Sequence, residues 1–387
     1  MPTIVVSGAL ANKPHNGGEA WVRLNWILGF QKLGFRVYFV EEISRQTCVD
    51  ARGAPTQFKN CVNLAYFQKV TEQFGLTSYS ALVYEDGEQT YGLAYGEILD
   101  VAQSADLLIN ISGHLTAEPL MSRFCRKAYI DIDPGFTQFW QAAGNPGARL
   151  AAHDFYFTIG ENIGTPTCSI PVRDIHWRRT RQPVVLDEWP VVSSGGLDRF
   201  TTVASWRGPY GPVQHGGQTF GLKVHEFRKF RNLPMRARPD FEIALSIDPA
   251  DEKDLHMLRQ HGWHITDPTF VAGNPSAFRR YVQASAAEFS VAQGIYVETA
   301  SGWFSDRTVR YLASGKPALV QDTGFSRNYP VGEGLVAFRT LDEAVAGAEH
   351  IARDYGRQCS AARSIAEAYF DSDKVLRHLL NEVDVPM

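Results

Sequence analysis

The chain has 387 residues, of which 44% are hydrophobic and 21% charged, with a net charge of −4 and a pI near 6.3. This length suits two domains of ordinary size, each with its own core. The slightly acidic balance gives no electrostatic case for binding a polyanion over a broad surface, so we expect no extended nucleic-acid-binding surface and only local phosphate contacts.

The cysteines argue against a zinc site. There are five of them, without CxxC or Cys/His ligand spacing: Cys48, Cys61, Cys125, Cys168 and Cys359. We expect buried free thiols in a reducing cytoplasm. The sequence also lacks a basic region followed by a long apolar segment, and no apolar run reaches spanning length. We therefore expect a cytoplasmic protein with neither a signal peptide nor a membrane span.

The chain begins with the pattern of a parallel sheet. Thr3 to Ser7 is an apolar β-run, a loop containing His15 leads to Gly17-Gly18 at a helix start, and Phe35 to Val40 is the next strand. Two glycines at a helix start let a ligand approach the backbone closely. The sequence has neither GxGxxG nor a GKS/GKT loop here, so neither a dinucleotide dehydrogenase nor a P-loop ATPase is indicated.

Further strands of the first half end in polar residues. Helices are predicted over residues 56–76 and 93–102, and strands over residues 106–112, 127–133 and 154–159. His114, Asp133 and Glu161 follow these strands. The carboxyl ends of parallel strands form the ligand-binding edge of an open α/β sheet, although ordinary turns use the same residue types.

The pattern restarts after a linker. Residues 176–197 contain Pro183, Pro190 and Ser193-Ser194-Gly195-Gly196, which indicates an interdomain connection. Next come a strand over residues 199–204, a glycine-rich loop with Arg207, and Lys223 before a helix over residues 224–230. More strands are predicted over residues 241–246, 263–266 and 287–291, and helices over residues 251–261, 275–285, 342–353, 359–369 and 373–383. We predict a first domain over residues 1–190, a second over 191–365, and a C-terminal helix in 366–387 that packs back toward the first.

The segment from Gly294 to Gly324 is predicted to contain a strand at residues 295–297, a turn at Ser301-Gly302, a helix and a strand at residues 318–320. Ser305-Asp306 supplies the helix N-cap, Gly315 ends the helix, and Pro317 prevents its continuation. A helix N-terminus that follows a glycine turn can hold a diphosphate. An ordinary βαβ crossover uses the same glycines, and the local pattern does not decide between the two.

In element order, essentially the whole chain resembles the GT-B class of nucleotide-sugar glycosyltransferases, and its motifs are moderately specific. The chain resembles in particular the retaining family with a Gly-Gly loop near the N-terminus and a paired-acid motif in the C-terminal half. The matching stretches are Gly17-Gly18-Glu19, Gly113-His114, Arg207 with Lys223, and residues 298–317. The resemblance implies an α/β protein of two Rossmann-like, doubly wound domains that face each other across a cleft. The second domain would hold most of the donor.

The resemblance also implies residue roles. The donor diphosphate would be bound by Gly17, Gly18, Arg207, Lys223, Ser305, Asp306 and Arg307. The nucleoside would be bound by Asp267, Pro268, Glu298 and Arg310. Glu298 resembles the first acid of the motif, and Asp306 stands eight positions further on, where the second is expected. Counting back from Gly315 instead places Arg310 at the position of the second acid. The residue that would contact the ribose is therefore left open.

The catalytic residues implied are His15, His114 and Glu298. His114 resembles the histidine that contacts the donor sugar. An inverting enzyme would use His15 as a base, helped by Asp133 or Glu161, whereas a retaining enzyme would not need it. The sequence does not decide the stereochemistry. Each of these residues also has an ordinary structural explanation, such as a solvated loop arginine or a core histidine.

The activity implied is glycosyl transfer of the hexosyltransferase type in bacterial biosynthesis. A UDP- or TDP-sugar would be the donor and a small molecule or saccharide the acceptor, with no metal and no further cofactor. Asp131-Ile132-Asp133 has the letters of a DxD metal motif, but we interpret it as a strand end facing the cleft. The protein would be a monomer or homodimer. A sugar-nucleotide epimerase or phosphorylase, and a non-catalytic nucleotide-sugar-binding partner, remain the alternatives.

Overall fold

The computed structural model describes residues 1–193 and 195–386. Ser194 of the expected linker and Met387 of the expected C-terminal segment lie outside this range. Within it, the first half of the chain builds one sheet and the second half another.

The first sheet has eight strands in the order β4-β3-β2-β1-β5-β6-β7-β8. They are β1 (Thr3–Ser7), β2 (Arg36–Ile43), β3 (Ser80–Tyr84), β4 (Gln89–Gly92), β5 (Leu107–Ile111), β6 (Lys127–Asp131), β7 (Phe155–Thr158) and β8 (Trp177–Arg179). All neighbours pair parallel except β3 and β4. The strand order reverses beside β1, which opens a crevice at the carboxyl ends of β1 and β5.

Five helices accompany this sheet: α1 (Gly17–Lys32), α2 (Val62–Gln73), α3 (Tyr95–Ser104), α4 (Glu118–Met121) and α5 (Phe136–Ala142). The N-cap of α1 is Asn16, whose side chain accepts a hydrogen bond from the backbone N–H of Glu19. Bulky side chains all round α1 are buried, because the helix packs on the sheet on one side and on the second half of the chain on the other.

The second half repeats the arrangement with six parallel strands in the order β13-β12-β9-β14-β15-β16. The strands are β9 (Arg199–Ser205), β12 (Asp240–Ser246), β13 (His264–Thr266), β14 (Ala287–Ser290), β15 (Ala318–Gln321) and β16 (Leu335–Phe338), and a separate hairpin is formed by β10 (Val213–His215) and β11 (Gln218–Phe220). The helices are α6 (Lys223–Lys229), α7 (Leu233–Arg236), α8 (Glu252–Gln260), α9 (Pro268–Ala272), α10 (Pro275–Ala284), α11 (Gly294–Glu298), α12 (Asp306–Ala313), α13 (Leu341–Arg353), α14 (Tyr355–Tyr369) and α15 (Ser372–Glu382).

The predicted fold class is confirmed, since both halves are doubly wound parallel sheets. One hydrophobic core runs from the first half into the second. In it, the indole of Trp21 in α1 packs edge-on against Trp189 at 4.9 Å and donates a 2.9 Å hydrogen bond to the carbonyl of Pro275. Near the C-terminus, the backbone of Val184 pairs with Phe370 and Ser372. The limits 1–190, 191–365 and 366–387 remain our proposed division of the chain.

Two of the segments that differ from the sequence prediction are described here because they border the cleft or extend the first sheet. Residues 295–297, predicted as a strand, lie in helix α11. The strand of this unit is β14, and the apolar side chains of Ile295 and Tyr296 are buried against the first half instead of in the sheet. Trp177 to Arg179, predicted as linker, form β8 and pair with β7. A short apolar run does not distinguish the periodicity of a helix from that of a strand, and an edge strand has only a weak sequence pattern. Among the described residues, no helix is long and apolar enough to cross a membrane.

Candidate functional site

A cavity of about 400 Å³ lies between the two halves, where the carboxyl ends of their strands face each other. Seven of the predicted site residues line it: His15, Gly18, Lys223, Pro268, Asp306, Arg307 and Arg310. The structure therefore brings together residues up to 295 positions apart, as the difference between His15 and Arg310 gives. Gly17, His114, Arg207, Asp267, Glu298 and Ser305 are not part of its lining.

Two basic side chains of the second half, Lys223 and Arg307, line the cavity. Arg307 is held by three acceptors: Glu288 at 2.6 Å, Ser290 Oγ at 2.8 Å and the carbonyl of Val203 at 2.8 Å. Lys223 is half-buried, and no acceptor within the described part of the chain receives a hydrogen bond from its Nζ. Burial, and then the positive charge of Arg307, lower the pKa of Lys223 to about 7. An anion in the cavity would stabilise the protonated form of this amine.

Helix α12 begins at the cavity. Ser305 is its N-cap and accepts a 3.3 Å hydrogen bond from the backbone N–H of Arg307. Asp306 and Arg307, in the first turn, both line the cavity. A helix N-terminus carries a partial positive charge that favours a bound anion. Asp306 opposes this charge, but its carboxylate forms a 2.8 Å ion pair with Arg310 one turn later.

Arg310 connects the two halves. Its side chain is 1% exposed and donates a 3.1 Å hydrogen bond to the carbonyl of Gly18. The guanidinium also lies 5.4 Å from the ring centre of Phe278, and burial lowers its pKa. Arg310 therefore lines the cavity, while its contacts with Gly18 and Phe278 lie in the protein interior.

Gly17 allows the two halves of the chain to pack closely together. A Cβ atom at this position would overlap the carbonyl oxygen of Asn274, just before α10. Only glycine allows α1 to start so close to the second half. Gly18, by contrast, borders the cavity itself. His15 is exposed, has a φ of 60° and lines the cavity from the loop before α1.

The structure does not bring Arg207, Glu298 or Asp267 into the cavity. The guanidinium of Arg207 forms a double hydrogen bond with Asp251, at 2.6 and 2.5 Å, and its side chain is 57% exposed. Glu298 ends α11 and accepts hydrogen bonds from Gln218 Nε2 at 3.1 Å and from the N–H of Gly221 at 3.3 Å. Asp267 caps α9 through a 2.8 Å hydrogen bond from Thr269.

His114 lies beside the cavity with basic neighbours. Nη1 of Arg149 is 3.3 Å from Nδ1 of His114. Burial, and then the charges of Arg23, Arg149 and Lys13, lower the pKa of His114 to about 3. The imidazole is therefore neutral at physiological pH and can act as a hydrogen-bond donor to a sugar but not as an acid.

Asp133 meets Tyr296 across the cleft, a relationship that the sequence analysis missed. The Tyr296 hydroxyl donates a 3.1 Å hydrogen bond to Asp133. Burial, and then repulsion from Asp131 and Glu19, raise the pKa of Asp133 to about 7. Asp131 is fully buried and accepts hydrogen bonds from Thr137, Gln138 and Thr158.

Glu161, the other carboxylate predicted to assist His15, does not line this cavity. Its carboxylate forms a 3.0 Å ion pair with Arg181 and accepts a hydrogen bond from the hydroxyl of Tyr329. It lines a separate pocket near α14 and α15. A search of the described residues finds no group of three or more His, Cys, Asp or Glu side chains with the arrangement of a metal site.

No family model matches the sequence, and no curated protein matches it. Solved structures do match the fold. An alpha-glucosyltransferase in complex with UDP has a TM-score of 0.59 and 12% identity, covering 99% of this chain and 100% of that one. HepE from Anabaena in complex with UDP-glucose has a TM-score of 0.59 and 12% identity, with all of both chains covered.

Sucrose-phosphate synthase from Thermosynechococcus elongatus has a TM-score of 0.54 and 11% identity, with 99% of each chain covered. At these identities the similarity establishes the fold. The chain has two Rossmann-like domains facing across a cleft, the GT-B arrangement, and this prediction is confirmed.

Proposed function

We propose that this protein transfers a sugar from a nucleoside-diphosphate sugar, UDP being the preferred nucleotide, to an acceptor hydroxyl or amine. The observation that carries the proposal is the set of Lys223, Arg307 and the start of α12 around one interdomain cavity. Two of the structurally similar proteins named above were solved with UDP or UDP-glucose bound. Their fold and the charge of this cavity support the same ligand class here.

In the proposed reaction the bond between the sugar and the diphosphate breaks, and the diphosphate leaves with additional negative charge. Lys223 and Arg307 are the cations that stabilise this charge, and the N–H groups at the start of α12 add to them. Arg307 is held in place by Glu288, Ser290 and Val203, so its position costs little reorganisation during the reaction. Arg310 neutralises Asp306, which would otherwise repel the diphosphate.

The nucleoside would extend from the diphosphate toward Pro268 and Thr269, which line the same cavity at the start of α9. The transferred sugar would lie toward His15, Glu19 and His114 of the first half. Neutral His114 would then donate a hydrogen bond to a sugar hydroxyl. The five cysteines are all free thiols, which suits our assignment of the reaction to the cytoplasm, although only Cys48 and Cys61 are buried as expected and Cys125 is exposed.

Thermal-shift titrations with UDP, TDP, GDP and ADP test the donor. We expect a saturable rise in Tm that is largest for UDP. Release of UDP from a UDP-sugar is then measured with and without acceptor candidates. Transfer to an acceptor supports the proposal, interconversion of the sugar without acceptor supports an epimerase, and saturating binding without turnover supports a non-catalytic partner.

We propose further that the reaction proceeds without a bound metal, because the two cations and the helix N-terminus carry the charge stabilisation. Turnover should then be the same in EDTA as in added Mg²⁺ or Mn²⁺. Loss of activity in EDTA that is restored by a metal would contradict this part of the proposal alone.

A further inference from the structure

Three basic side chains carry charges that act on His114: Arg23, Arg149 and Lys13. Lys13 follows β1, His114 follows β5, and Arg149 lies after α5, so the cluster sits at the carboxyl edge of the first sheet. Arg149 Nη1 is 3.3 Å from His114 Nδ1. A guanidinium has only donors, so Nδ1 is the acceptor and the ring proton is on Nε2. The Nε2–H group of His114 therefore remains available for the sugar hydroxyl proposed above.

The cluster has more positive than negative charge. Arg23 is 2% exposed, and its Nη1 is bonded to the carboxylate and the carbonyl of Glu19, while its buried Nε has no hydrogen-bond partner. Neither Lys13 nor Arg149 forms an ion pair with any carboxylate that the structure describes. Arg149 is exposed and Lys13 is half-buried, so both side chains can contact a ligand.

The carboxylates that face the cluster do not cancel this excess. Burial alone would raise the pKa of Glu19, but Arg23 and Lys13 hold it below its usual value. Glu19 is thus an ionised partner of Arg23. Asp133, the other acidic neighbour, has a pKa raised to about 7 by burial and by Asp131 and Glu19, so it is only partly ionised at neutral pH. Arg149 thus has no carboxylate partner, and Lys13 has only the nearby charges of Glu19 and of partly ionised Asp133.

The backbone holds the cluster in place. Ser112 and Gly113 both have positive φ, 55° and 62°, and so does Arg149, at 51°. A Cβ atom at Gly113 would collide with the backbone of Arg149. The tight turn before His114 therefore packs directly against the residue whose guanidinium contacts the imidazole. Non-glycine residues adopt such φ values only when the surrounding structure enforces them.

We propose that Lys13 and Arg149, which lie beside Arg23 and His114, bind an anionic group, a phosphate or a carboxylate, carried by the acceptor of the transfer. This inference rests on the proposed function, because it takes the neighbouring cavity to hold the donor. Glu19 lines that cavity and pairs with Arg23, so the cluster begins where the cavity ends. The acceptor is then a hydroxyl compound with a negatively charged substituent, held by charge-assisted hydrogen bonds.

The test uses inorganic phosphate and acetate as probes, which carry the two candidate groups without the rest of an acceptor. Tm is measured for the UDP-saturated protein at constant ionic strength with increasing probe. We expect a saturable rise in Tm that is absent in Lys13→Gln/Arg149→Gln. Lys59→Gln/Arg126→Gln removes the same charge from exposed positions of the first half and should keep the rise. A rise with phosphate alone identifies a phosphorylated acceptor, and one with acetate identifies a carboxylated acceptor.

The absence of a rise with both probes, or an equal rise in Lys13→Gln/Arg149→Gln, would overturn the inference. The UDP titration that precedes the test reports on the proposed function separately. A protein that binds UDP but neither probe rejects the acceptor site alone. If UDP does not bind, the probes are titrated into Lys223→Met, which lacks the free cation of the donor cavity. A rise that then depends on Lys13 and Arg149 shows an anion site without a donor site.

Discussion

The hydroxyl of Tyr296 in α11 donates a 3.1 Å hydrogen bond to Asp133, which follows β6 on the opposite side of the cleft. One side chain from each half thus meets at the edge of the proposed sugar-binding region. The carboxylate lies among Asp131, Glu19 and Lys13, and its pKa is raised to about 7, chiefly by burial and by its two acidic neighbours. The protein therefore keeps a titrating group at its domain contact.

The first prediction concerns stability as a function of pH. An unfolded aspartate titrates near pH 3.9, whereas folded Asp133 titrates at about 7. Between these values the folded state holds a proton that the unfolded state has lost, so the contribution of Asp133 to stability falls as pH rises from about 4 to about 7. Asp133→Asn keeps an acceptor for Tyr296, and its Tm should exceed that of the wild type by more at pH 8 than at pH 5.

Asp100→Asn, at an exposed position of α3, is the matched control and should show the same Tm difference at both values of pH. Buried Glu41, whose pKa is also raised to about 7 by burial, is present in all three proteins, so its effect cancels. A Tm difference for Asp133→Asn that does not change with pH would contradict the prediction.

The second prediction is that UDP binding takes up a proton at Lys223. With a pKa of about 7, this amine is mostly neutral at pH 8 in the free protein, and a bound diphosphate favours its charged form. Calorimetric titrations at pH 8 in buffers of different ionisation enthalpy should show this uptake, and UDP affinity should fall between about pH 7 and 9.

Lys223→Met should abolish the uptake and weaken UDP binding by about 1–3 kcal/mol, the range for a lost charge-assisted hydrogen bond. Lys253→Met removes the same charge from the exposed surface of α8 and should leave both quantities unchanged. Proton uptake that persists in Lys223→Met would assign it to another group.

The third prediction distinguishes Arg207 from Arg307, both of which were assigned to the donor diphosphate in the sequence analysis. Arg207→Met should change the Kd for UDP by less than about threefold, because Asp251 holds its guanidinium outside the cavity. Arg307 lines the cavity, and its loss should weaken binding by about tenfold or more. Arg307→Met alone would leave buried Glu288 unpaired, so Arg307→Met/Glu288→Gln is compared with Glu288→Gln. The reverse order of effects would reject the assignment of Arg307 to the diphosphate.

The fourth prediction concerns the contact between the halves at the start of α1. Gly17→Ala places a methyl group against the carbonyl of Asn274 and should lower stability by about 1–3 kcal/mol, as overpacking does. Gly96→Ala, in α3 with open space around it, should be neutral or stabilising. Thermal unfolding of both variants checks this, and equal Tm values for the two would show that the approach at Gly17 is not tight.

Local signals in the sequence predicted much of this architecture. The start of α12 at Ser305-Asp306 and its end at Gly315, where φ is 71°, follow from a capping side chain and a left-handed glycine, which short segments encode by themselves. The buried strands β1, β5 and β15 were predictable for the same reason, since their apolar runs are continuous.

The charged side chains were harder to place. Arg207 and Arg307 each follow a turn near a strand end, but Asp251 binds one and Glu288 the other, and these pairings depend on tertiary packing. Tyr296 contacts Asp133 over 163 positions of sequence, in a helix that was predicted as a strand. A sequence pattern within one helix or strand cannot predict a contact between residues so far apart in the chain.

The hairpin of β10 and β11 belongs to the second half of the chain but rests on α5 of the first, where Phe220 stacks on Phe139 at 5.0 Å and His215 lies 4.9 Å from the same ring. A hinge opening that separates the sheets has to unstack these rings, while the side chains around the donor cavity stay with their own sheets. The ring at position 220, three residues before Lys223, therefore contributes part of the free energy that any separation of the two halves has to supply.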